Sequence, residues 1–376
     1  MTLLNRFVIQ NNHLYHHFYL QPVRTFVDAR VKWVRDAHLD FAVEKEKNLK
    51  QILSLKNLII SQPSKAIPLS NASFYKTIFD LPITATNFFQ KYPSVFEIFQ
   101  PSKPFSHPHV KLTPQALTVH NEESKILNSS SYRKDVAGRL TKLLMLTRAK
   151  KLPLDIINLM RFDLGLPHDF IFTLLPEFPE YFQICNMDNN STGSNNSMGS
   201  VVFGLELVSW RDNLATSVLQ RKTMEEIYAV KRQMPIKFPI NLPKGFDLEK
   251  KVRLWVHEWQ NLPYISQYED AFFLSPNSDQ AEKWTVAILH ELLHLFVSKK
   301  TEKENLLALG DYLGFGPRFK KGLVHHKKDL LTQRHLLMGM RYRYLHLMNQ
   351  SVNLKRKYGL QVSCSSKRTG SFINRT

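Results

Sequence analysis

Residues 288–296 read ILHELLHLF, placing His290, Glu291 and His294 at the spacing with which a helix offers two imidazoles to one zinc ion. In that chemistry the metal activates a bound water and the glutamate polarises it, producing a hydrolytic nucleophile. A zinc peptidase also needs a third ligand. Glu302, Glu304 and Asp311 are the downstream candidates, and their segment, TEKENLLALGDYLG, carries none of the longer continuations found in zinc peptidases. Stepping 100° per residue from Trp284 spreads Ile288, Leu289, Leu292, Leu293 and Leu295 over a wide apolar arc. His290 and His294 then fall on its narrow polar edge beside Lys283. A leucine-rich helix supplies such a pattern by chance, because two of its five positions are unrestricted. The residues read as a polar helix edge, with an opportunistic surface metal and a catalytic zinc (His290, Glu291, His294) as the alternatives.

No other catalytic set emerges. Gly204 and the segment GDYLGFG at 310–316 lack the lysine and the strand–turn–helix setting of a phosphate loop, and no Gly-x-Ser-x-Gly elbow occurs. Neither an enzymatic activity nor a cofactor is expected.

The chemistry that remains is charge. Lys and Arg number 51 against 32 Asp and Glu, a formal charge of +19, which favours a polyanionic partner such as nucleic acid or anionic lipid. Arg133, Lys134, Arg139, Lys142, Arg148, Lys150 and Lys151 gather on one helical hairpin; Arg318, Lys320, Lys321, His325, His326, Lys327 and Lys328 form a second cluster. Arg139, Lys142, Arg148, Lys150, Lys151, Arg318, Lys320, Lys321, Lys327 and Lys328 are the candidate phosphate contacts. A solvated helix face competes with this reading for any one of them. Tyr132, Phe170, Tyr181, Tyr342 and Tyr344 could stack on unpaired bases, although most aromatics in such a chain belong to a core.

The elements that would carry these residues recur. LPITATNFFQKYPSVFEIF (81–99) and LPHDFIFTLLPEFPEYFQI (166–184) both run Leu-Pro, an amphipathic stretch, aromatic-Pro, two residues, Phe. Proline is tolerated in a first helical turn, and a second proline forces the chain into an extended segment. Strand-like runs follow: FEIF and HVKLT after the first copy, YFQIC and VVFGLELVSW after the second. A weaker third copy starts at Gly316-Pro317, with Lys327 in place of the second proline. Helices are expected over 38–61, over 132–165 as two runs split by Pro153 and stopped by Gly165, over 246–263, and from about Ser278 to Val297. The fold class is therefore α+β, mainly helical, built of tandem winged-helix-like repeats, helices followed by short β-hairpins, around 38–120, 132–212 and 246–345. Residues 188–200, DNNSTGSNNSMGS, would form a long hairpin tip.

The chain's 376 residues, 43% hydrophobic, suffice for two or three compact units. Cys185 and Cys364 are its only cysteines, which excludes a disulfide framework and fits a reducing compartment. The longest apolar stretch, around 284–297, is shorter than the roughly 20 residues a membrane span needs. Residues 1–26 carry Arg6 and Arg24, no acid precedes Asp28 and no serine precedes Ser54, which reads as a mitochondrial presequence, with a chloroplast address and an irregular N-terminal arm as the alternatives. The serine-rich basic segment 355–376 reads as an irregular tail.

Over residues 31–350 the chain resembles the plant organelle RNA recognition (PORR) family and, within it, the mitochondrial, What's-this-factor-like members. The resemblance is carried by VKWVRDAHLDFAVEKEKNLKQILSLKNLI, FFQKYPSVFEIF, HPHVKLTP, DVAGRLTKLLMLTRAKKLPLDIINLMRFDLGLP, LLPEFPEYFQI, KVRLWVHEWQNLPYISQYED and SDQAEKWTVAILHELLHLFVSKKTEKENLLALGDYLG. It implies a non-enzymatic organellar RNA-binding protein that promotes splicing of group II introns, with intron RNA as partner and room for other splicing factors. His294 departs from the family's frequent serine, and HHKKDLLTQRH departs at the third repeat. A winged-helix factor binding double-stranded DNA is the alternative reading.

Overall fold

Leucines and isoleucines at helical spacing after Asn48 have one face to bury, and they bury it completely: Leu49, Ile52, Leu55 and Ile59 line the first core. The computed structural model describes residues 37–101, 107–187, 202–230, 235–240, 249–275, 278–316 and 336–366. The first unit runs α1 (Ala37–Lys45), α2 (Leu49–Ser61), β1 (Ala66–Pro68), α3 (Ala72–Ile78), α4 (Ala85–Lys91), β2 (Phe96–Phe99), β3 (His109–Leu112) and α5 (Pro114–Leu127). Its three strands form an antiparallel sheet in the order β1-β3-β2, with Ile98 opposite Val110 and Phe96 opposite Leu112.

The second unit repeats this plan. It runs α6 (Ser130–Leu146), β4 (Lys151–Pro153), the short helices α7 (Leu154–Leu159), α8 (Arg161–Leu164) and α9 (Phe170–Thr173), then β5 (Phe182–Met187), β6 (Val202–Leu207) and α10 (Val218–Val230). The sheet order is β4-β6-β5, the same as in the first unit. The aromatic-proline steps are superposable in their bonding. Tyr92 and Phe178 end their helical turns with φ/ψ of −121°/62° and −127°/54°, and each carbonyl accepts the amides three and four residues on. A residue before proline is pushed away from helical dihedrals, so the paired prolines set the point where the chain turns into the hairpin. The segment 188–200 read as a hairpin tip lies outside the described residues.

A further recurrence ties in the third unit. α2, α6 and α12 (Asp279–Leu295) each end in a turn whose lysine, Lys65, Lys150 or Lys299, is left-handed, with φ of 50°, 55° and 53°. Each lysine amide donates to the carbonyl three residues back, at Gln62, Thr147 and Phe296. A non-glycine residue in this region costs about 1–2 kcal/mol. The Lys65 and Lys150 ammoniums offset it by donating to helix-terminal carbonyls, Ile60 O at 2.5 Å and Met145 O at 2.6 Å. α11 (Lys250–Asn261) precedes α12 within the third repeat expected from 246. After Lys299 the chain enters α13 (Lys303–Gly310) without a strand, and among the described residues the third unit has no sheet. The copy read from Gly316-Pro317 falls outside the described residues from 317 onward.

The last helix, α14 (Leu336–Ser366), continues through Ser366, well into the segment expected to be an irregular tail; residues 367–376 are not described. It joins two cores. Leu337 and Met338 enter the core shared by the second and third units, while Tyr344, Leu345, Leu347 and Met348 enter that of the first. Gly165, in the left-handed region at φ 68°, closes α8 where a side chain has no room: an added Cβ would lie 2.7 Å from the Tyr132 hydroxyl and from Val297 Cγ2. No helix among the described residues is long and apolar enough to cross a membrane.

Candidate nucleic-acid interface

The polar edge expected on α12 is an interior seam. Lys283, at 1% exposure, donates to the carbonyls of Gln260 and Leu262 at the end of α11. Glu291 is fully buried, and its oxygens accept from Lys142 Nζ (3.0 Å), the Tyr268 hydroxyl (2.9 Å) and the Val218 amide (2.9 Å). Lys142 also donates to Thr216 O and stands 5.4 Å from the Tyr268 ring centre. A carboxylate held by three donors in a closed site is a structural cross-link between α6, α10 and α12; it is not a base waiting for water. A second lysine–glutamate–tyrosine cluster performs the same task in the first unit. There Lys56 pairs with Glu123 across α2 and α5, and Tyr344 of α14 donates to Glu123 at 3.3 Å.

His294 Nδ1 lies 2.8 Å from the His290 carbonyl, and His290 packs edge-on against Phe238 with ring centres 5.8 Å apart. Among the described residues no three His, Cys, Asp or Glu side chains come together in a metal-binding group. Burial, reinforced by His294, lowers His290 to about 4, against the opposing pull of Glu291; burial lowers His294 as well. The unfolded chain therefore takes these protons first. The stabilisation from a neutral His290 is complete above its ordinary value near 6.5 and is lost as pH falls towards 4. Between about pH 7.5 and pH 5.5 this one group should remove about 1.4 kcal/mol of unfolding free energy. Urea titrations at the two pH values check it, and His290→Phe should flatten the difference.

The sequence-selected cations divide sharply. Arg139, at 9% exposure, donates to Leu164 O (2.6 Å) and Leu295 O (3.4 Å) and pairs with Asp135, so it fastens α6 to α8 and α12. Lys142 is committed to Glu291. Arg133 pairs with Glu177 at 2.6 Å and donates to Thr173 O. Lys134 and Arg148 are exposed, and Lys150 and Lys151 are half-buried. Arg318, Lys320, Lys321, Lys327 and Lys328, with His325 and His326, lie outside the described residues. Of the aromatics considered for stacking, Tyr132, Phe170 and Tyr344 are buried in the cores; Tyr181 stacks on Phe178, and Tyr342 stays half exposed.

Two clefts flank α6. The first, of about 370 Å³, is lined by Lys134, Arg139, Lys142, Arg221, His294 and Lys299 against the acids Asp135 and Glu291. Both acids are paired, Glu291 with Lys142 and Asp135 with Arg139. Arg221 lies on α10, a helix the charge reading of the sequence left out; with Lys222 it forms an adjacent basic pair at its exposed surface. Burial lowers Lys299 to about 8, with Lys222 adding to the effect and Glu291 opposing it. The second cleft, of about 390 Å³, lies on the side of the α6–β4 turn and is framed by Arg148, Lys150, Trp210, Gln267, Tyr268 and Phe272. Arg148 sits 5.1 Å from the Phe272 ring centre and Lys150 5.0 Å from that of Trp210. Trp210, in the short link after β6, was legible only as part of a strand-like run.

Repeated helix-and-hairpin units presenting cation-lined clefts, on a chain of charge +19, are the features of a nucleic-acid-binding scaffold. Residues 34–329 match the plant organelle RNA recognition domain, and the chain belongs to that family. It is 32% identical to Protein WHAT'S THIS FACTOR 9, mitochondrial, of Arabidopsis thaliana, over 88% of each chain. It is 29% identical to Protein ROOT PRIMORDIUM DEFECTIVE 1 of Arabidopsis thaliana, over 81% of this chain and 73% of that protein. It is 27% identical to Protein WHAT'S THIS FACTOR 1, chloroplastic, of Zea mays, over 79% of this chain and 58% of that protein. No solved structure matches the chain.

Proposed function

We propose that this protein is a mitochondrial RNA-binding factor that promotes splicing of group II introns by holding the RNA in a reactive fold, leaving bond making and breaking to the RNA. The observation that carries the reading is the cation-lined cleft between α6, α10 and α12, on a chain whose family is defined by organellar RNA recognition. Phosphate contacts fix a nucleic acid's position without reading its sequence, which is what a scaffold for a folded intron requires. The mitochondrial address is supported by the relative whose name carries that compartment and by the arginine-bearing, acid-free stretch before Asp28. Sequence-selected residues that keep exposed or half-exposed side chains, Arg148, Lys150 and Lys151, join Lys134, Arg221 and Lys222 as the proposed backbone contacts.

The test removes charge where the fold does not need it. In Lys134→Ala/Arg221→Ala/Lys222→Ala, affinity for a single-stranded intron fragment should fall. The slope of log K against log salt should flatten by about 2, since each lost phosphate contact removes roughly 0.7. Unchanged affinity and slope would overturn the placement of the RNA. A DNA duplex competing as well as the RNA would overturn the ligand class.

A further inference from the structure

We infer that the cleft beside the α6–β4 turn is a pocket for one unstacked nucleobase of the bound RNA, a reading that rests on the RNA-binding function proposed above. Its walls are flat. Trp210, 40% exposed, forms one side, and Phe272 forms another, set edge-on against Trp284 with ring centres 5.1 Å apart. Trp284 is itself fixed by an indole N–H donated to Ser266 O at 3.1 Å. Phe272 and Trp284 are therefore held in place before any ligand arrives.

A buried polar group in the lining of the same cleft points to what it holds. Gln267 is only 3% exposed, and its Oε1 accepts from the Tyr264 hydroxyl at 2.8 Å, which in turn bonds Ser217 Oγ at 3.0 Å. That chain of bonds sets the amide with its Nε2 left over, buried and without a hydrogen-bond partner while lining the cleft. Buried amide donors are nearly always satisfied, so an unpartnered donor beneath the cleft's lining is a group that an acceptor entering the cleft could satisfy once the side chain turns outward. Asp270 and Glu269 line the same cleft and offer carboxylate acceptors; one Asp270 oxygen already takes the Phe272 amide at 3.2 Å. An acceptor and a donor side by side are what the Watson–Crick edge of an unpaired base presents, and aromatic or guanidinium planes are where its face stacks. Arg148 and Lys150, lying against the ring faces, place cations where the same nucleotide carries its phosphate. A volume of about 390 Å³ is at the small end of ligand pockets, enough for one base and too small for a duplex.

The experiment uses the full chain and a single-stranded oligoribonucleotide, each base replaced in turn by an abasic site. Trp210→Ala should weaken binding roughly 5- to 150-fold, the range of one lost stacking contact, and Trp210→Phe should restore most of it. The salt slope should stay unchanged, because no cation is removed. In the wild type one abasic position should weaken binding far more than its neighbours, and in Trp210→Ala that position should cease to matter. Gln267→Ala should lower affinity for the intact oligonucleotide and leave the oligonucleotide abasic at that position unaffected. Wild-type binding with no sensitive position, or a Trp210→Ala protein that binds as tightly as the wild type, overturns the pocket while leaving the RNA-binding reading standing. Failure of the wild type to bind single-stranded RNA at all overturns both.

Discussion

A chain shortened to end at residue 329 should lose its cooperative fold, even though it contains the whole span matched by the family's domain. The cut removes α14, and with it Leu337 and Met338 from one core and Tyr344, Leu345, Leu347 and Met348 from the other. Burying a side chain of that size is worth about 1.5–3 kcal/mol, so six of them approach or exceed 10 kcal/mol even after allowing for a compact unfolded state. Whole domains are stable by only about 5–15 kcal/mol. Polar bonds go as well. Glu123 loses the Tyr344 hydroxyl, the Ser94 amide loses Ser351 Oγ at 3.0 Å, and the Phe162 carbonyl loses Arg341. A chain ending at residue 354 keeps all of these groups and should unfold like the full protein. Thermal melting followed by circular dichroism, with limited proteolysis alongside, distinguishes the two; a cooperative, wild-type-like melt of the 329-residue chain would refute the argument.

Those elements show what a single sequence discloses. The aromatic-proline steps and the strands after them were legible because their signal is local: Tyr92-Pro93 and Phe178-Pro179 impose a backbone turn that neighbouring residues alone dictate, and β-branched and aromatic runs follow. The lysine turns at Lys65, Lys150 and Lys299 were present as SKAIP, AKKLP and SKKTE but escaped notice, since a left-handed lysine has no compositional mark. The burial of Arg139 and Lys283 and the pairing of Lys142 with Glu291 were not legible at all. Charge in a sequence says that a side chain must find water or a partner, and which of the two it finds depends on residues as distant as Glu291 from Lys142. Of the candidate phosphate contacts, Arg139 and Lys142 are engaged in ion pairs with Asp135 and Glu291 while lining the first cleft. The Gln267 pocket was equally hidden, because it joins a loop before α12 to the turn after α6 and the link after β6.

Replacing Glu291 by alanine should destabilise the protein by about 3–5 kcal/mol, the usual cost of stranding a buried charge. Lys142 would keep an ammonium in a largely buried position with only Thr216 O to accept from it, and the Tyr268 hydroxyl and Val218 amide would lose their acceptor. Glu291→Gln preserves the shape and one carbonyl acceptor, so it should cost less than alanine while still leaving the lysine uncompensated. Removing both charges at once, as Lys142→Met/Glu291→Leu, should recover most of the loss, because two matched apolar side chains need no desolvation to be repaid. Urea denaturation of the wild type, Lys142→Met, Glu291→Leu and the double variant measures the cycle, and strict additivity of the two single losses would sink the claim that the pair acts as a unit. The same cycle decides what Lys142 does for RNA. A structural lysine predicts that Lys142→Met/Glu291→Leu, folded and lacking the ammonium, binds RNA as the wild type does. A lysine that grips phosphate predicts a flattened salt dependence in that double variant, because its contact is gone however well the protein folds.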